Sequence, residues 1–199
     1  MMNNKTIAVL ISLSVLPLFS WGQSDLLFDF NQERLDLNRT GMQILGSWAA
    51  GNMLLSATQL RQTDPIKRSY HQMNLAWNGV NIAIAAFGYF QGLDGDLAKT
   101  LAYTLDEQYS IEKILLLNAG LDMVYMAGGW YLLERSRRAD KPHQLNGFGR
   151  AVIVNGAFLF LFDVILHQVH VHHRAELLPW LEQIDINFSG TQLGLSYRF

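Results

Sequence analysis

Cysteine is absent from this chain, so a disulfide framework, a thiolate metal centre and a lipid-anchoring cysteine are all excluded. Charge is scarce as well. Only 16% of the 199 residues are charged, and the net charge of -2 offers no basic surface for nucleic acid. There is no Gly-rich phosphate loop, no nucleophile elbow and no His-Glu-x-x-His signature. Ser47 and Ser56 have no neighbours in the sequence that would make them nucleophiles. Half of the residues are hydrophobic, yet the mean hydropathy is only +0.10, the value expected when apolar runs are diluted by loops, a tail and polar helix faces.

The N-terminus reads as a secretion signal over residues 1–22. MMNNK is weakly basic, Thr6 to Phe19 is apolar, and Ser20-Trp21-Gly22 places small residues before a cut at Gln23. The alternative is an uncleaved first anchor. Under either reading the chain from Ser24 starts outside the cytoplasm. Ser24 to Asn38 then forms an amphipathic lead-in, with Asn38-Arg39-Thr40 placed to cap the helix that follows.

Four apolar segments have the length that a bilayer core requires: residues 41–60, 70–92, 111–133 and 151–170. In the first, Gly46/Ala50 and Ser47/Gly51 are small residues four apart, which lets a partner helix approach. Arg61, Lys67 and Arg68 flank a Pro65 break, and Arg135, Arg137, Arg138, Lys141 and Arg150 crowd the third connection, which puts both loops in the cytoplasm. The second connection is acidic, with Asp94, Asp96, Asp106 and Glu107 against Lys99, and belongs outside. Within it Leu97, Leu101 and Leu105 predict a separate short helical segment on the membrane surface.

These readings define an all-α membrane protein. Residues 23–183 form a four-transmembrane-helix bundle in the bacterial inner membrane, with both termini outside the cytoplasm. Residues 184–199 form a short external β-hairpin, since Ile184, Ile186 and Phe188, then Leu193, Leu195, Tyr197 and Phe199, alternate around Ser189-Gly190-Thr191. Trp180 anchors the intervening segment at the outer interface.

The spans carry polar stripes. His71, Asn74, Asn78 and Asn81 share one face of the second, and Asp163, His167 and His170 share one face of the fourth. Counting depth at about 1.5 Å per residue puts Asn81, Asp122 and Asp163 in one layer. Asn118 and His167 fall nearer the outer surface, and Asn52, Asn78 and Asn155 lie deeper. In one reading Asn81, Asn118, Asp122, Asp163 and His167 line a chamber for a small ligand, ion or proton. In the other the amides are interhelical packing contacts. Asp163, His167 and His170, at i, i+4 and i+7, supply a metal or haem ligand set, while histidines at the end of a span also suit the membrane interface.

An internal repeat is legible in Trp77-Asn78-Gly79-Val80 and Val154-Asn155-Gly156-Ala157, and again in Ala49-Ala50-Gly51 and Ala127-Gly128-Gly129. The unit is a helical hairpin duplicated in one orientation. The run Gly41-Met42 through Leu45-Gly46-Ser47-Trp48-Ala49, followed by Tyr70-His71-Gln72-Met73-Asn74-Leu75-Ala76-Trp77-Asn78-Gly79-Val80-Asn81, resembles an uncharacterised family of small exported bacterial four-span membrane proteins. That resemblance extends over nearly the whole mature chain and implies an architecture without catalytic residues.

The function expected is a non-enzymatic membrane protein with a ligand-, ion- or proton-binding core. A structural or assembly factor acting on a protein partner or a second copy through its outer loops and tail is the alternative, and a membrane enzyme the third. The expected partner common to all three is the lipid bilayer. A reporter fused after Phe199 is expected to be active only outside the cytoplasm, and a cytoplasmic signal there overturns this topology.

Overall fold

Pro65 and Asp64 together start a helix. The proline occupies the first helical position, where its missing N–H has no intrahelical partner to lose. Asp64 Oδ1 accepts the Ile66 and Lys67 N–H groups at 2.8 and 3.3 Å. Pro142 stands at the same place in the last helix. The third helix is capped by Thr100, whose Oγ1 accepts the Tyr103 N–H at 3.4 Å.

The computed structural model describes residues 4–93, 95, 97, 100–177, 184–188 and 193–197, with side chains placed in 25–93, 95, 97 and 100–177. Four helices result: α1 (Asn4–Gln59), α2 (Pro65–Leu93), α3 (Leu101–Ser136) and α4 (Pro142–Ala175). Two strands, β1 (Ile184–Phe188) and β2 (Leu193–Tyr197), pair antiparallel with Ile186 opposite Leu195. The expected turn at Ser189-Gly190-Thr191 and the Trp180 anchor lie outside the described residues, as do Asp94, Asp96 and Lys99.

Two expectations about helix boundaries need correction. The cap at Asn38-Arg39-Thr40 does not form, because α1 runs unbroken for 56 residues, about 84 Å at about 1.5 Å per residue. Its inward face continues through that point, with Leu27, Asn31, Arg34, Gly41, Leu45 and Ala49 buried at steps of three, four and, across Asn38, seven, so packing carries the helix across. Residues 4–22, read as a signal, are the backbone of its first turns. Likewise Leu101 and Leu105 do not belong to a separate surface segment. They sit in the opening turns of α3, which starts ten residues ahead of the apolar run at Ile111 because Thr104, Gln108 and Glu112 are buried on its inner face.

The helices form two hairpins, α1–α2 and α3–α4, joined by a seam between α2 and α4. Glycines set the closest approaches. A Cβ on Gly147 of α4 would lie 2.5 Å from the Ile66 carbonyl oxygen and 2.6 Å from the Tyr70 nitrogen of α2. Gly129 of α3 and Gly149 of α4 face each other equally closely, a Cβ on Gly149 falling 2.6 Å from the Gly129 oxygen. Of the small-residue pairs expected on α1, Gly46 does meet α2, at Ala85. Ser47 and Gly51 do not serve, since Ser47 is exposed and nothing lies within 4 Å of a Cβ on Gly51.

The repeat offset reappears in space. Asn78 and Asn155, 77 residues apart, hydrogen-bond to each other across the seam. Tyr70 and Gly147, at the same offset, are also close, the Tyr70 nitrogen lying 2.6 Å from where a Cβ on Gly147 would stand. Asn78 and Asn155 also make the same local bond, each donating to the carbonyl four residues back at 2.9 and 2.8 Å. The two hairpins thus meet with corresponding residues of α2 and α4 facing each other.

Burial is inverted relative to a protein folded in water. Asn78, Asn155, Gln108 and His170 are fully buried, while Leu54, Trp130 and Phe87 are 72%, 71% and 67% exposed. Among the described residues one helix, α4, is long and apolar enough to cross a membrane by composition alone. In α2 and α3 the inward Asn74, Asn78, Asn81, Asp122, Gln108 and Glu112 lower the average hydropathy of the whole helix.

Gly147→Val is expected to destabilise the fold by about 2–3 kcal/mol or more through overpacking against α2 backbone. Gly51→Ala, with open space around it, is expected to be neutral or slightly stabilising. Thermal unfolding of the two purified variants checks the contrast.

Candidate functional site

The deeper polar layer is a closed set of amides. Asn74 and Asn78 fall on the buried face of α2 in a stripe that runs on through Asn81 and Ala85 at steps of three and four, and Asn155 lies four residues from the buried Ala151 of α4. Asn155 Nδ2 donates to Asn74 Oδ1 at 2.7 Å, and Asn78 Nδ2 donates to Asn155 Oδ1 at 3.0 Å and to Asn74 Oδ1 at 3.1 Å. Asn74 Nδ2 reaches α1, donating to Ser56 Oγ at 2.8 Å and Asn52 Oδ1 at 3.3 Å. His71 Nδ1 lies 3.1 Å from the same Ser56 hydroxyl. The amides satisfy one another, so this layer joins α1, α2 and α4 and leaves little polar capacity for a ligand.

The next layer behaves differently. Asp122 of α3 and Asp163 of α4 are 3% and 6% exposed, and their carboxyl groups are neighbours, with Asp122 Oδ2 buried and without a hydrogen-bond partner. Two buried carboxyls side by side favour holding one proton between them, because like charges at that range disfavour a second ionisation. Among the described residues neither forms an ion pair with a basic side chain. Both face a cleft of about 1290 Å³ that opens sideways between α2 and α3, backed by α1 and α4. Asn81 and Asn118 line the same cleft, and its walls are apolar, with Ile84, Phe87 and Ile114 among them. Arg34, Glu107 and Gln91 also line it.

A third cluster ties α1, α3 and α4 together beyond that cleft. Asn31 Nδ2 donates to Thr104 Oγ1 at 2.9 Å, Arg34 Nη2 donates to Asn31 Oδ1 at 3.3 Å, and Arg34 pairs with Glu107 at 3.5 Å. Burial pulls the Arg34 pKa below its ordinary value, with the Glu107 carboxylate opposing that shift. Gln108 Nε2 donates to Glu112 Oε1 and to the His170 carbonyl, and Arg174 Nε donates to Glu112 Oε1 at 2.8 Å. That charge-assisted bond raises the Arg174 pKa. The His170 imidazole is fully buried with neither ring nitrogen hydrogen-bonded. His173 stacks on Phe30 with ring centroids 4.0 Å apart.

The structure therefore brings Asn81, Asn118, Asp122 and Asp163 to one cleft and Asn52, Asn78 and Asn155 to one amide layer. His167 departs from the expected chamber. It does not line the cleft, and its Nδ1 lies 3.5 Å from Gln168 Nε2 of its own helix. The ligand set Asp163, His167 and His170 also fails to assemble, because seven residues of helix rise about 10 Å, too far for Asp163 and His170 to share one ion. The grouping of histidine and carboxylates whose ligand atoms do come within 4.8 Å is Glu33, His173 and Glu176. Asn31, Arg34, Thr104, Gln108 and Glu112 escaped the sequence reading. Part of the signal was present, since residues 104, 108 and 112 are polar at steps of four, but it straddled the boundary between a segment read as a connecting loop and the start of the third span.

Fold and site together define a four-helix protein with polar layers inside and apolar side chains outside. The chain belongs to the family of unknown function DUF6992, which matches residues 44–164. No curated protein and no solved structure matches it. The matched region includes the amide layer and the Asp122–Asp163 pair, whereas His170, His173 and Arg174 lie beyond it.

Replacing Asn155 by Val is expected to cost about 1–3 kcal/mol, because Asn74 and Asn78 each lose a buried partner. The double variant Asn78→Val/Asn155→Val is expected to cost less than the sum of the single changes. Unfolding measurements on the three variants test that coupling.

Proposed function

We propose that this is an integral membrane protein whose four helices cross the bilayer, and that its interior binds the cationic head of a small amphipathic molecule through Asp122 and Asp163. The membrane half of this reading is supported by the inversion of burial. Large apolar side chains such as Leu54, Leu117, Val124 and Ile165 point outward on all four helices, and amides and carboxyls point inward. Water would strongly disfavour such a surface, and hydrocarbon suits it. The basic residues around the α1–α2 and α3–α4 connections support a cytoplasmic position for that end, with both termini outside the bacterial inner membrane.

The ligand half rests on one observation. Two neighbouring buried carboxyls face an apolar-walled cleft, and among the described residues no basic side chain pairs with either, the Arg34 that also lines the cleft being paired with Glu107. A ligand that supplies a cation or a strong donor at that depth, with an apolar body against Ile84, Phe87 and Ile114, complements both parts of the cleft. Entry from the side follows from the gap between α2 and α3. The self-satisfied amide layer acts as a fixed floor and takes no part in binding.

Native mass spectrometry of the full chain in detergent, titrated with dodecylammonium, tests this. One probe molecule per chain is expected to bind, with affinity at least about tenfold weaker in Asp122→Asn/Asp163→Asn, which keeps shape and hydrogen bonding but removes the charge. Equal affinity in the double variant eliminates the pair as the site.

A further inference from the structure

The structure assigns a second, separate site at the His-rich end of α4: we propose that Glu33, His173 and Glu176 bind a divalent cation of borderline softness, Zn²⁺ in type. The three ligand atoms lie within 4.8 Å of one another, drawn from α1 and from one turn of α4.

The histidine is what distinguishes this cluster from a chance group of surface acids. His173 is only 3% exposed, and its ring is fixed on both sides of the question that matters for a ligand. Its face stacks on Phe30 at 4.0 Å with an interplanar angle of 10°. Its Nε2 lies 3.2 Å from the Phe30 carbonyl oxygen, and since a carbonyl can only accept, Nε2 must carry the hydrogen. In the neutral ring that leaves the Nδ1 lone pair free, which is the arrangement by which a backbone carbonyl orients a metal-ligating imidazole.

Nδ1 is buried without a hydrogen-bond partner, and it faces two carboxylates, Glu33 Oε2 at 3.8 Å and Glu176 Oε2 at 3.9 Å. Those separations exceed a charge-assisted hydrogen bond of about 2.7–2.9 Å, so neither carboxylate bonds to the ring. A lone pair and two anions converging on one point repel one another until a cation stands between them. Two ligands each about 2.1 Å from a tetrahedral ion are about 3.4 Å apart, so the two His173–carboxylate separations must close by a few tenths of an ångström and the two carboxylates, within 4.8 Å of each other, by up to about 1.4 Å. Both glutamates can supply that movement, being 58% and 56% exposed at the side chain. One nitrogen and two oxygens leave a fourth position for water. Occupied, the site staples the outer half of α1 to the end of α4.

The test is a Zn²⁺ titration of the full chain after chelator treatment, read by calorimetry and by thermal unfolding. One ion per chain is expected, together with a raised unfolding temperature. Glu33→Gln and Glu176→Gln, on exposed side chains that leave the fold intact, are each expected to weaken binding about tenfold or more, and His173→Phe, which keeps the ring stack, is expected to abolish it. His172→Phe and Asp122→Asn/Asp163→Asn are expected to leave it unchanged. No stoichiometric binding in the micromolar range, or binding that survives Glu33→Gln/Glu176→Gln, overturns the assignment.

Discussion

A primary amide removed from water has to be satisfied by other protein groups, and here three of them satisfy one another. Asn74 Oδ1 accepts from both Asn78 and Asn155, and Asn78 in turn donates to Asn155. Because the donors and acceptors come from α2 and α4, the two hairpins can sit in only one register without orphaning a buried amide. The tight contact of Gly147 on α2 follows from that register, and Gly149 then brings α3 against α4. Asn52 and Ser56 extend the same lock to α1. The cleft lies where α2 and α3 make no close backbone approach.

That gap is also where the resemblance between the two hairpins gives out. At the repeat offset, the first-hairpin counterparts of Asp122 and Asp163 are Leu45 and Ala86, both apolar. One side of the bundle is filled by Trp48 stacked on Phe158 with centroids 4.0 Å apart. On the other, Trp77 and Tyr125 meet edge to face at 5.1 Å and line the cleft. A near-symmetric frame thus carries an asymmetric pair of carboxyls.

Much of the interior was readable because helical period and depth are both properties of sequence. Asn78 and Asn155 share an offset with their flanking Gly residues, and counting turns from the helix ends put Asp122 level with Asp163. The failures came where a local rule met a long-range one. Asn38-Arg39-Thr40 has the composition of a cap, but the inward face of α1 continues through it from Arg34 to Gly41. Asp163, His167 and His170 have regular spacing, yet one helix cannot wrap three such residues around one ion, and the histidine that meets carboxylates is His173, because Phe30 and Glu33 arrive from α1.

The sequence by itself determined that the chain makes long helices with apolar outer faces and amide-bearing inner faces, since 3.6-residue periodicity and residue polarity are local quantities. Tertiary structure alone decided which inner faces meet, because that depends on how closely backbones approach at Gly147, Gly149 and Gly129. It alone brought Asp122 beside Asp163, left α2 and α3 without close backbone contact, and set Nδ1 of His173 before Glu33 and Glu176. Each of those is a distance between groups tens of residues apart, and such distances arise from packing.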